Sequence, residues 1–172
     1  MNYTYTNVKG IDVDIQEIQT YLYNQLNWGI INGFGRVFKN INKTNKTLVP
    51  EAYIGVGEYK EVLTDDSVNA LFFFVDDDEH KSKEGYLFQT KINIIVIANL
   101  KKIFKNSQYR EDNQCEDSLI SLLQKKGIQV LKIKKGLKAA LSDFYSENIS
   151  LSNMEPYHCF SLEFDLSYYL EC

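Results

Sequence analysis

An α+β fold, built on a mainly antiparallel β-sheet with helices packed on one face, follows from three features of the chain. Two segments carry an apolar stripe at helical spacing: Ile15, Ile18, Leu22 and Leu26, then Cys115, Leu119, Leu122 and Leu123. Several other segments alternate apolar and polar residues, or run apolar, at strand length. The strand candidates also follow one another with short connections. That favours antiparallel neighbours and leaves the helices to cover one face of the sheet. The predicted order is α-β-β-β-β-α-β, with one more short strand and a short helix before the last strand.

The first helix is predicted over Asp14 to Leu26, with Asp14 as N-cap and Glu17 three residues on as its capping-box partner. Gly29, Gly33 and Gly35 then break it, and Arg36 to Asn40 reads as a short strand. The polar stretch from Ile41 to Thr47 reads as a loop or the tip of a long hairpin. Tyr53 to Val62 alternates as one strand. Asn69 to Val75 is nearly all apolar, as in a strand buried on both faces. Tyr86 to Ala98 is the longest strand. Phe88, Thr90, Ile92, Ile94, Val96 and Ala98 share one of its faces, and a charged turn from Asp76 to Gly85 leads into it. Leu100 to Ser107 has room for one helical turn. A second helix lies within Glu111 to Lys126, with acidic residues near its start, Lys125 and Lys126 near its end and Gly127 as C′. A short strand, Gln129 to Ile133, and a short helix, Leu137 to Tyr145, lead to a closing strand. That strand is Tyr157 to Tyr169, where Phe160, Leu162, Phe164 and Leu166 alternate with polar residues.

Length and composition bound the function. The 172 residues suit one domain, 1–172, with extended loops near 41–50 and 76–85. A hydrophobic fraction of 44% with 24% charged residues is globular and excludes wholesale disorder. The net charge of −4 argues against a general nucleic-acid coat. No basic region followed by an apolar run marks a secretory leader, and the longest uncharged stretch, 18–35, is too polar to span a membrane. Cys115, Cys159 and Cys172 are odd in number and widely spaced, which fits reduced thiols and neither a disulfide framework nor a structural zinc site.

Sites with chemistry are sparse. Asp76-Asp77-Asp78-Glu79-His80 is the densest run of hard-cation ligands, but its spacing is not that of an EF-hand. It reads as an acidic, solvated hairpin tip able to complement a basic partner. His158 and Cys159 are adjacent on a strand, so they point to opposite faces and cannot act as base and nucleophile. Gly33 to Phe38 lacks the third glycine of a dinucleotide fingerprint and precedes a strand, so it reads as a helix-to-strand turn. Glu58-Tyr59-Lys60 matches the E-x-K of magnesium-dependent restriction-type nucleases. The Asp required on the preceding strand is missing, because none occurs between Asp14 and Asp65. Two lysine groups, Lys101, Lys102 and Lys105, then Lys132, Lys134, Lys135 and Lys138, have no arginine and only slight aromatic interleaving. They read as solvated surface, with at most weak DNA contact. No catalytic residue, metal site or cofactor is expected.

The layout as a whole resembles the tail-terminator and head–tail completion proteins of tailed phages, small α+β proteins that form rings at the neck. The matching features begin with the helix bearing Ile15, Ile18, Leu22 and Leu26 and the glycine-broken stretch into Arg36-Val37-Phe38. They continue with the strand Tyr53 to Glu58, the phenylalanine-rich strand Leu71 to Val75 and the long strand Thr90 to Ala98. The helix over Leu119 to Leu123 and the closing strand Cys159 to Ser167 complete the match. The resemblance implies a structural virion protein, assembled in the host cytoplasm. It would form a ring, commonly a hexamer, that caps the tail tube and joins it to the head connector. Its partners would be copies of itself, the tail tube protein and the connector protein, without cofactor or membrane. The contacts would fall on the two polar loops, at Lys43, Asn45 and Lys46 and at Asp76, Asp77, Asp78 and Glu79, with Tyr and Phe as anchors. A cytosolic protein-binding adaptor is the alternative, and a nuclease acting through Glu58 and Lys60 the third reading.

Overall fold

A computed structural model describes residues 1–41, 44, 46–63, 65–105, 110–146 and 156–170. The elements are α1 (Ile11–Gln25), β1 (Ile31–Arg36), β2 (Phe38–Ile41), β3 (Leu48–Gly55), β4 (Glu58–Glu61), β5 (Ala70–Asp76), β6 (Lys81–Glu84), β7 (Leu87–Asn99), α2 (Leu100–Ile103), α3 (Asp112–Lys125), β8 (Lys132–Lys135), α4 (Leu137–Ala140) and β9 (Tyr157–Tyr169). The fold is α+β, and all but one of its strand pairings are antiparallel.

The main sheet runs β1-β5-β7-β9-β8, with β6 beside β7 in line with β5. Its spine is the pair β7 and β9, each of 13 residues, aligned without a slip from Leu87 opposite Tyr169 to Asn99 opposite Tyr157. At about 3.3 Å per residue this ladder spans roughly 40 Å. The alternation of both strands puts Ile92, Ile94, Val96, Phe160, Leu162 and Phe164 on one face, where α1 and α3 cover them with Ile15, Leu22, Leu119 and Leu123. The opposite face carries Leu71, Phe73, Ile95, Ile97 and Cys159. It lies under Ala52 and Val62 of the small sheet and under Ala140, Leu141 and Phe144 around α4. Every residue of β5 is therefore buried, as its unbroken apolar run requires.

Several boundaries differ from the sequence reading. Helix α1 begins three residues early. Gly10, at φ 56°, turns the chain in, and Ile11 adds one more residue to the buried stripe. Asp14 is therefore not the N-cap; with Asp12 it lies in the first turn, where a carboxylate favours the helix dipole. Gly33 and Gly35 sit inside β1 rather than in a turn. A Cβ on Gly33 would come within 2.8 Å of the Phe72 ring, so the missing side chain makes room for the core. Tyr53 to Val62 is two strands, because the chain reverses at Val56 (φ 55°) and Gly57 (φ 78°). The turn at 76–85 contains β6, and the strand expected at 129–133 forms as β8, three residues later. Pairing of β1 with β5 is parallel, since β2, β3 and β4 leave the main sheet and the chain returns beside β1 in the same direction.

Cys115 lies on the sheet-facing side of α3 and Cys159 on the opposite sheet face, beside α4. Burial pushes both thiols up to about 12, and Glu116 and Asp112 add to the shift at Cys115. Native protein treated with an alkylating reagent near neutral pH should leave Cys115 and Cys159 unmodified, while unfolded protein reacts at both. Peptide mapping by mass spectrometry reads this directly. Native labelling of either would mean that its layer opens. Cys172 lies outside the described residues.

Candidate interaction surface

The small sheet, β2-β3-β4, stands against the β1 side of the main sheet and turns an aromatic face outward. Register fixes that face: Phe38 pairs with Glu51, Glu51 with Glu61 and Tyr53 with Tyr59, so all of these share one side. Tyr5 from the N-terminal segment stacks on Tyr53 at 4.1 Å. Tyr59 meets Tyr53 edge-on at 5.7 Å and Phe38 at 5.4 Å. Burial, then a hydrogen bond with Tyr59, pushes the Tyr5 hydroxyl above its ordinary range. Phe38 is 51% exposed and Tyr59 46% on this face; Ile41 and Leu48, paired with each other on the opposite face, and Val56 in the β3–β4 turn are also open to solvent. Exposed aromatic side chains grouped on one face of a small sheet are the kind of surface that marks a contact.

The N-terminal segment fastens this sheet to α1. The Gln16 side chain bonds both the backbone N–H (2.7 Å) and the carbonyl (3.1 Å) of Tyr5. Buried Gln19 donates to the carbonyls of Tyr3 (2.8 Å) and Gly33 (3.0 Å). The same segment runs beside β1 through the Asn2–Gly33 bridge and covers that edge of the main sheet. Strand β8 ends the main sheet on the other side, and β2 and β4 end the small one.

The acidic tip is folded rather than loose. Asp76 is 5% exposed and accepts from Arg36 Nη1 at 2.6 Å, while Arg36 grips Asp12 with Nε (2.9 Å) and Nη2 (3.0 Å). His80 lies 3.7 Å from Asp76 and 2.7 Å from the Tyr168 hydroxyl. Asp77 accepts from the Thr90 hydroxyl (2.7 Å) and from the Glu79 N–H (3.1 Å). Asp78 accepts from Lys39 Nζ at 2.6 Å, which holds its carboxyl below the usual range. Asp76 is thus internal, and the surface-facing acids of the run are Asp77, Asp78 and Glu79. Lys39 of β2 reaches both Asp78 and Asp143 (3.5 Å), which draws the base of the β2–β3 hairpin to the acidic tip. Lys46 is exposed at φ 59° in that hairpin's connection. Lys43 and Asn45 lie outside the described residues.

Glu58-Tyr59-Lys60 forms β4, an exposed edge of the small sheet remote from the β7–β9 spine. Among the described residues no group of three His, Cys, Asp or Glu side chains is placed to hold a metal ion. His158 and Cys159 do face opposite layers.

The sequence reading missed a buried ionic knot. Glu116, 3% exposed, accepts from His158 Nε2 at 2.8 Å and from Lys135 Nζ at 2.7 Å; Lys135 also reaches Asn113 at 3.1 Å. His158 stacks on Phe160 at 5.0 Å. The knot ties α3 to β8 and β9. Its signal was present, since Glu116 occupies the apolar stripe three residues before Leu119 and seven before Leu123, where a carboxylate needs a partner. Compared with known proteins, the chain matches no family model, no curated protein and no solved structure.

Proposed function

We propose that the protein is a structural assembly protein whose copies close head to tail into a ring at the neck of a tailed phage. There the ring caps the tail tube and joins it to the head connector in the virion. The single observation that carries the assembly reading is the exposed aromatic face of the small sheet. Phe38 and Tyr59 are open to solvent there beside Tyr53, with no chemistry of their own to perform. Tyrosine and phenylalanine on a rigid sheet make good interface anchors. Edge strands β2, β4 and β8 offer backbone groups for strand addition. The neck position comes from the resemblance of the element order, which the long β7–β9 spine and the N-terminal helix support. Lumen contact with DNA would be weak at a net charge of −4. No reaction is proposed, because the E-x-K segment sits on an exposed hairpin edge with no Asp on the strand before it.

Light scattering across a concentration series tests the reading. A discrete mass near six protomers, or growth into closed rings, is expected. A monomer at every concentration that also fails to bind the tail tube would overturn it. The exposed face would then serve an adaptor that takes a different partner.

A further inference from the structure

We propose that neighbouring copies join by strand addition, the free edge of β8 in one copy pairing antiparallel with the free edge of β4 in the next. The proposal rests on the ring reading and names the two surfaces that make the ring's contact. Both edges are four residues long and both are exposed, Lys132-Ile133-Lys134-Lys135 on β8 and Glu58-Tyr59-Lys60-Glu61 on β4. Each pairs on one side only, with β9 and β3 respectively.

The side chains fit in one register. Set antiparallel, Lys132 meets Glu61 and Lys134 meets Tyr59. Strand alternation places Lys132 and Lys134 on one side of β8, and Tyr59 and Glu61 on one side of β4, so both contacts fall on the same face. The first is an ion pair and the second a cation over an aromatic ring. On the other face Ile133 meets the aliphatic stem of Lys60, and Lys135, already bound to Glu116, meets Glu58. Among the described residues Lys132 and Lys134 have no ion-pair partner within the chain.

Charge also selects the symmetry. Two β8 edges brought together antiparallel would oppose Lys132 to Lys135, and two β4 edges would oppose Glu58 to Glu61. Like charges directly opposite disfavour both two-fold contacts. The complementary contact is heterologous, joining two different patches, and repeats head to tail into a ring when its rotation closes. Strand β6 repeats the lysine spacing at Lys81 and Lys83, but the same register would set Glu84 against Glu58, and β6 has an irregular register between Ser82 and Glu84. β2 carries no carboxylate to receive β8.

The test is sedimentation velocity of the full chain with exchanged charges. Lys132→Glu, and separately Glu61→Lys, should each weaken self-association about tenfold or more, because the facing ion pair becomes like-charge repulsion. An equal mixture of the two variants should reassemble, since each then offers the edge the other lacks. Lys81→Glu makes the same change in net charge as Lys132→Glu, but on β6, and should leave assembly intact. Wild-type assembly should also weaken as salt rises. If wild type assembles and the edge variants assemble equally well, or the mixture stays dissociated, or salt has no effect, the β4–β8 contact is wrong while the ring reading stands. If neither wild type nor the mixture associates at any concentration, the β4–β8 contact is wrong, and the ring reading falls with it when the wild type also fails to bind the tail tube.

Discussion

Replacing Phe72 with alanine is expected to lower stability by about 3–5 kcal/mol, the cost of removing a large aromatic side chain from a core that cannot close over the void. Phe72 is fully buried at the centre of β5, meets Phe74 edge-on at 6.2 Å and lies over Gly33 of the neighbouring strand. Its surroundings are sheet on both sides and helices above, so little can collapse inward. Native domains hold only about 5–15 kcal/mol in all, and this one substitution removes a large share. Urea unfolding should show a lower midpoint with an unchanged slope. A loss below about 1.5 kcal/mol would show that the layer between β5 and the helices is loosely packed.

Arg36→Ala is the second substitution with a large expected effect, about 3 kcal/mol, from breaking a buried ion pair on one side. Asp76 is 5% exposed and depends on Arg36 at 2.6 Å, whereas Asp12, the other partner, is about a third exposed and can turn to water. The loss is placed at the low end for buried pairs because Arg36 itself is 30% exposed. Charge, not packing, is the stated cause. Adding Asp76→Asn to Arg36→Ala should therefore recover more than half of the loss, since the neutral side chain needs no counter-ion. Chemical denaturation of the wild type, the single variant and the double variant measures this. If the double variant is as unstable as the single one, lost contacts of the arginine stem are responsible instead.

The candidate surface was only partly legible in the sequence. The polar loop and the acidic run were visible as charge clusters, and Asp77, Asp78, Glu79 and Lys46 do lie at the surface. Asp76 does not, because its partner Arg36 is 40 residues away and no local pattern joins them. The aromatic face was hidden for a different reason. Phe38, Tyr53 and Tyr59 alternate as they would on a core-facing strand, and alternation reports that two faces differ without saying which one is covered. Tyr5 lies in no regular element, so its stacking on Tyr53 had no sequence signal.

The sequence alone determined the α+β class, the stripes of α1 and α3, the doubly buried β5 and the full extent of β9. Each of these is a period or a run written in neighbouring residues, which burial reads locally. Tertiary structure alone decided that β1 runs parallel to β5, that Gly33 belongs inside a strand, that Glu116, His158 and Lys135 meet, and that the small sheet leaves its aromatic face open. Those outcomes depend on which distant segments pair and in what register. The residues that settle them stand tens of positions apart, where chain periodicity carries no information.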